Sequence, residues 1–110
     1  MIEKTICDYL TTKLKCPVLP EKPSRPYSGY VFVERTGGRG KFIKYSTVAL
    51  QSYGASLYDA ASLNEEVIEA MYEMVELNDI THVELNQTYN FTDASTKEYR
   101  YQAVFDITHY

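Results

Sequence analysis

The chain has no tryptophan, two cysteines, two histidines, five glycines and four prolines among its 110 residues. Cys7 and Cys16 stand at a spacing that fits no metal or redox motif, and two cysteines make no disulfide framework, so the expectation is reduced thiols in a cytoplasm. His82 and His109 fall on separate predicted strands with no cysteine or carboxylate at ligand spacing, so both are expected to be structural and no metal or cofactor is predicted. No apolar run approaches the roughly 20 residues that a membrane span needs. The opening MIEKTICDYL has an acid at position 3 and no apolar signal core, which predicts no secretion. A basic excess is also missing. The net charge is −4 and the pI about 5.1, which argues against general affinity for nucleic acid or membrane while leaving a local basic patch open.

What remains is the composition of one ordinary globular domain, 45% hydrophobic and 24% charged. Tyrosine is the unusual presence, at eleven residues. Such enrichment suits a surface that meets a partner, and equally suits the rim of a core.

The pattern reads as α–(β)–β–β–α–β–β, an α+β fold with a single antiparallel or mixed sheet and two helices on one face. Ile2, Ile6, Leu10 and Leu14 recur every four positions and predict a helix over 2–14, with Cys7 as a small core residue. All four prolines lie within 17–26, an extended connector in which Val18 and Leu19 could form a short edge strand. Residues 30–36 and 46–53 are rich in β-branched and aromatic types and predict two strands of a long hairpin, 30–53. Gly54 ends the second strand. Ser56 can cap a helix over 57–77, with Asp59 at the third helical position. Leu57, Ala60, Ala61, Asn64, Val67, Ile68, Met71, Met74 and Val75 define its inner face. A C-terminal hairpin over 81–109 follows, with strands 81–87 and 98–109 joined by a loop of turn residues. Tyr99, Tyr101, Ala103, Phe105 and Ile107 share one face of its last strand. Arg100, Gln102, Asp106 and Thr108 share the other, with Val104 as an apolar exception.

The glycines of VERTGGRGKF, Val33 to Phe42, invite comparison with a phosphate loop. The comparison fails. Gly40-Lys41 is followed by Phe42 rather than Ser or Thr, and the first glycine of the phosphate-loop pattern is absent. Gly38-Arg39-Gly40 starts a dinucleotide pattern, but Ile43 stands where its third glycine belongs. A phosphate loop also feeds a helix, whereas this one feeds a strand. The glycines are expected to permit a hairpin turn. Arg35, Arg39, Lys41 and Lys44 then sit either on a solvated loop or against something negative. Nothing resembles a nucleophile elbow or a paired general acid and base, so no enzyme and no catalytic residue is predicted.

Charge is segregated along the chain. Residues 13–44 hold Lys13, Lys15, Lys22, Arg25, Arg35, Arg39, Lys41 and Lys44 against only Glu21 and Glu34. Residues 56–80 hold Asp59, Glu65, Glu66, Glu69, Glu73, Glu76 and Asp79 with no Lys or Arg. Glu65, Glu69, Glu73 and Glu76 recur at helical spacing and repel one another. Two readings stand: a solubilising face, or an acidic surface that meets the basic hairpin of a second copy. The second contact is heterologous and closes into a ring when the rotation allows.

The runs VFVERTGG, STVALQSYGASLYDAASLNEEVIEAM and YNFTDASTKEYRYQAVFDIT resemble the tail-terminator, or tail-completion, proteins of long-tailed phages and prophages of Gram-positive bacteria. The resemblance covers about residues 2–110 and is sharpest at Gln51-Ser52-Tyr53-Gly54 and Tyr99-Arg100-Tyr101-Gln102. It implies a non-enzymatic virion protein, assembled in the bacterial cytoplasm and placed in the tail or neck. It implies a ring, commonly of six copies, that caps the tail tube, stops its growth and meets a head–tail connector or stopper protein. DNA would meet it only in passing through the lumen. The implied fold, a sheet flanked by helices, agrees with the residue reading. A neighbouring head–tail adaptor shares these features. A separate alternative is a nucleic-acid-binding protein that uses the basic hairpin with Tyr27, Tyr30 and Tyr45.

Overall fold

The computed structural model describes residues 2–24 and 28–110. Arg25, Pro26 and Tyr27, which the basic segment, the connector and the nucleic-acid reading include, lie outside the described residues. The elements are α1 (Ile2–Lys13), β1 (Val18–Leu19), β2 (Tyr30–Arg39), β3 (Lys44–Gly54), α2 (Leu57–Glu73), a 3-10 turn (Met74–Glu76), β4 (Ile80–Asn90) and β5 (Tyr99–His109). This is the predicted α+β order. The five strands form one mixed sheet in the order β1-β2-β3-β5-β4. Only β1 and β2 run parallel, and every other neighbouring pair is antiparallel.

Both helices cover the same face of the sheet. α1 buries Ile2, Ile6, Cys7, Tyr9 and Leu10, the stripe expected from their spacing. The Tyr9 hydroxyl donates to the Ala70 carbonyl at 2.8 Å and ties α1 to α2. Pro17 stops the helix from resuming. Its carbonyl accepts from Val31 N–H at 2.9 Å and starts the short parallel pairing of β1. α2 begins at Ser56, whose hydroxyl accepts from Asp59 N–H at 3.1 Å. Gly54 makes the approach possible, because a Cβ there would sit 2.5 Å from Ala60 N. Beneath the helices Val31, Val33, Val48, Leu50, Ala103 and Phe105 are fully or almost fully buried. Burying a side chain such as Phe105 is worth about 2–3 kcal/mol.

The structure departs from the sequence reading in three places. Strands β2 and β3 run to Arg39 and from Lys44, so Gly37 and Gly38 lie within the ladder and the turn is confined to residues 40–43. Cross-strand pairing with Thr47 and Ser46 outweighs the weak strand preference of glycine. For the same reason β4 runs three residues past the predicted end at Gln87, through Asn90. The long helix ends at Glu73 and tightens into the 3-10 turn. That change of period carries Val75 out of the inner face, to 46% exposure, and Leu57 at the other end is 41% exposed.

Candidate functional site

Two charged features were singled out by sequence, and the fold separates them. The basic residues line the outer part of β2 and its turn into β3. Arg35 Nε donates to the Gly37 carbonyl at 3.2 Å, and the Arg39 guanidinium lies over the Tyr45 ring at 5.5 Å. Lys41 Nζ is 5.6 Å from the Phe42 ring centre. Lys44 is exposed at the start of β3. The turn depends on Gly40, whose φ of +108° suits glycine and whose Cβ would meet the Ile43 carbonyl at 2.1 Å. The tip presents Phe42 at 80% exposure beside cations.

The acids line the outer face of α2. Glu65, Glu69 and Glu76 are exposed, opposite the buried Val67, Ala70, Met71 and Met74. Glu73 is drawn aside toward α1, where Lys13 Nζ comes within 3.8 Å. The structure thus does not bring the four acids and the four basic residues together within one chain. Among the described residues the cation paired with one of these acids is Lys13, which lies outside the candidate site residues.

Sequence reasoning missed a third feature. The face of the sheet away from the helices carries a hydrogen-bonded polar ladder. Tyr53 OH donates to Gln51 Oε1 at 2.8 Å, Gln51 Nε2 donates to Gln102 Oε1 at 3.0 Å, and Gln102 Nε2 donates to the Tyr89 hydroxyl. Arg100 Nη1 donates to Tyr53 OH at 3.1 Å and its guanidinium lies 4.6 Å from the Phe91 ring centre. Tyr30 stacks on Tyr53 with ring centres 4.3 Å apart, and burial pushes the Tyr30 hydroxyl well above the usual tyrosine range. Toward the hairpin end, Thr47 Oγ1 and Asn86 Nδ2 donate to the two oxygens of Asp106 at 2.9 and 3.0 Å. There a shallow concavity of about 430 Å³ opens between Arg39, Tyr45, His82, Glu84 and Asp106. The signal for this ladder was the alternation of Gln and Tyr along the central strands, visible as a second face but not as a network.

The remaining reactive groups are placed structurally. Burial first, with Asp8 and Glu3 adding, pushes the Cys7 thiol up to about 11. His109 is buried, with Nε2 2.8 Å from Ser46 Oγ, and His82 is exposed 3.5 Å from Glu84. Among the described residues no group of three His, Cys, Asp or Glu side chains is set to hold a metal ion, and no helix is long and apolar enough to cross a membrane.

No known protein-family description matches the chain, and no curated protein matches it.

Proposed function

We propose that this protein is a structural component of a phage tail, a terminator that forms a ring on the end of the tail tube, stops its growth and joins it to the head connector. The observation that carries this reading is the separation of charge in the folded chain. A cationic hairpin presents an exposed Phe42, the acids line the outer face of a helix, and among the described residues no ion pair joins the two. A chain with opposite signs on two different surfaces is suited to head-to-tail contact with copies of itself, and such contacts close into a ring when the rotation between copies allows. The sequence resemblance supplies the tube as the object the ring sits on. The long hairpin, paired as far as Arg39 and Tyr45, is suited to reach the tube or the ring lumen. The polar and aromatic sheet face offers the hydrogen-bonding surface that a non-obligate partner uses.

The test is addition of the purified protein to tail-tube subunits of the phage or prophage that encodes it, followed by electron microscopy. The expected result is tubes that stop growing and carry one extra disc at one end. Tubes that grow unchanged and carry no added density contradict the reading. Salt-sensitive binding of single-stranded DNA by the same sample would favour the nucleic-acid alternative.

A further inference from the structure

We infer that neighbouring copies join by strand addition: the outer edge of β4 pairs antiparallel with the outer edge of the β2 segment Glu34–Arg39 of the next copy. This inference rests on the ring reading and specifies how the ring closes.

The sheet has two unfinished edges. β4 is the last strand in the order, so no strand of this chain covers its outer side. The other edge is covered only in part. β1 is two residues long and pairs with Val31 and Phe32, and among the described residues no strand pairs with the outer side of the rest of β2. An open edge presents a row of backbone donors and acceptors and is a template for another strand. The two edges are compatible in direction. Neighbouring strands of β2-β3-β5-β4 run antiparallel, so a second copy laid in the same orientation offers its β2 antiparallel to β4. The helices of both copies then stay on one side.

The side chains at the two edges are complementary on both faces. Arg39 shares a row with Tyr45, Thr108 and His82, and Glu84 lies one row away, on the uncovered face. Across the join Arg39 would therefore face the Glu84 side of β4. Arg35 shares a row with Val48, Phe105 and Leu85, on the helix-covered face. Across the join it would approach the C-terminal end of α2 and the 3-10 turn, where Tyr72 and Glu76 are exposed. The flank of α2 beside β4 is also apolar and half-open. Tyr72 and Val75 are 47% and 46% exposed. The Tyr72 hydroxyl accepts from Leu85 N–H at 3.4 Å, so this flank adjoins the β4 edge, and a joining strand takes over that one donor from Tyr72. A second copy bringing α1 over its own β2 would cover it. The hydrogen-bonded edge, the apolar flank and the charge pairs thus favour one occupant, another copy of this chain.

Cysteine pairs test the join in the full chain, in a Cys16→Ser background. Glu34 and Gln87 lie in one row on the uncovered face and are separated by two intervening strands. Their Cα atoms are then about 14 Å apart, too far for a disulfide, which needs under about 7 Å. Any bond between Glu34→Cys and Gln87→Cys must therefore link two chains. Glu84→Cys in place of Gln87→Cys covers a shift of one row. The expected result under mild oxidation is a ladder ending at one closed species, reversed by reductant and absent from each single variant. Dimers from Gln87→Cys alone would mean that β4 pairs with another β4 and would overturn the inference. No ladder from either pair, whether the protein assembles or stays monomeric, also overturns it. Tube capping by such a protein would leave the terminator reading intact, so the two failures can be told apart.

Discussion

Asn64 is the polar break in the inner face of α2, and it gives a sharp test of the packing argument. Its side chain is 2% exposed. Nδ2 donates to Thr88 Oγ1 at 2.9 Å, while Oδ1 is buried without a hydrogen-bond partner among the described residues. An unsatisfied buried acceptor costs about 1–3 kcal/mol, and the single hydrogen bond returns about 0.5–1.5 kcal/mol. Leucine branches at Cγ as asparagine does, so Asn64→Leu fits the same space with two methyl groups. It removes the orphan acceptor, and Thr88, which is exposed, can turn its hydroxyl to water. Leucine also favours the helix by several tenths of a kcal/mol. Allowing for some crowding, the net expectation is stabilisation by about 1 kcal/mol, or about 4 °C in thermal midpoint for a domain of this size. The assay is urea and thermal unfolding of wild type and variant followed by circular dichroism. A loss of about 1 kcal/mol or more, with an unchanged denaturant slope, would refute the claim that this polar group is a net cost to the fold.

Further predictions concern the hairpin, the acidic face and the buried thiol. Gly40→Ala is expected to destabilise by about 1–3 kcal/mol, read as a lowered thermal midpoint, because φ there is +108° and the new Cβ would strike the Ile43 carbonyl. Glu69→Lys replaces two repulsive four-residue spacings, to Glu65 and Glu73, with attractive ones and should raise the stability of the isolated chain by up to about 1 kcal/mol. The same change should weaken self-assembly in light scattering, so the two effects carry opposite signs. Burial raises the Cys7 thiol to about 11 and also raises Tyr9 and Tyr30. The unfolded chain then loses protons first as pH rises. The stability these groups contribute is complete below about pH 9 and falls progressively above it, most clearly between 9 and 11 for Cys7. Urea midpoints at pH 8, 9.5 and 11 should fall in that order.

The element order was legible because it rests on periodicity: Ile2, Ile6 and Leu10 in α1, and Ala103, Phe105 and Ile107 in β5, are all buried where their spacing places them. Element ends were less legible. Gly37 and Gly38 have weak strand preference, and only pairing across the sheet keeps them in β2. Val75 fits the helical stripe by spacing, yet the 3-10 turn moves it outward. The acidic and basic groups could be named from sequence, but their placement on different surfaces depends on the strand order, in which β5 inserts between β3 and β4. That insertion also creates the β4 edge and joins the polar second face of the central strands into the Gln51–Gln102–Tyr89 ladder, whose cross-strand partners no single strand reveals.

The central claim is a closed ring of identical copies held partly by charge. Its most direct measurement is the molar mass of the purified protein by light scattering at low and high salt, with imaging of the main peak. The expected result is a defined multiple of the 12.7 kDa chain, seen as a ring with an open centre at low salt and shifted toward smaller species at high salt. A 12.7 kDa monomer at every salt and at milligram-per-millilitre concentration would contradict it.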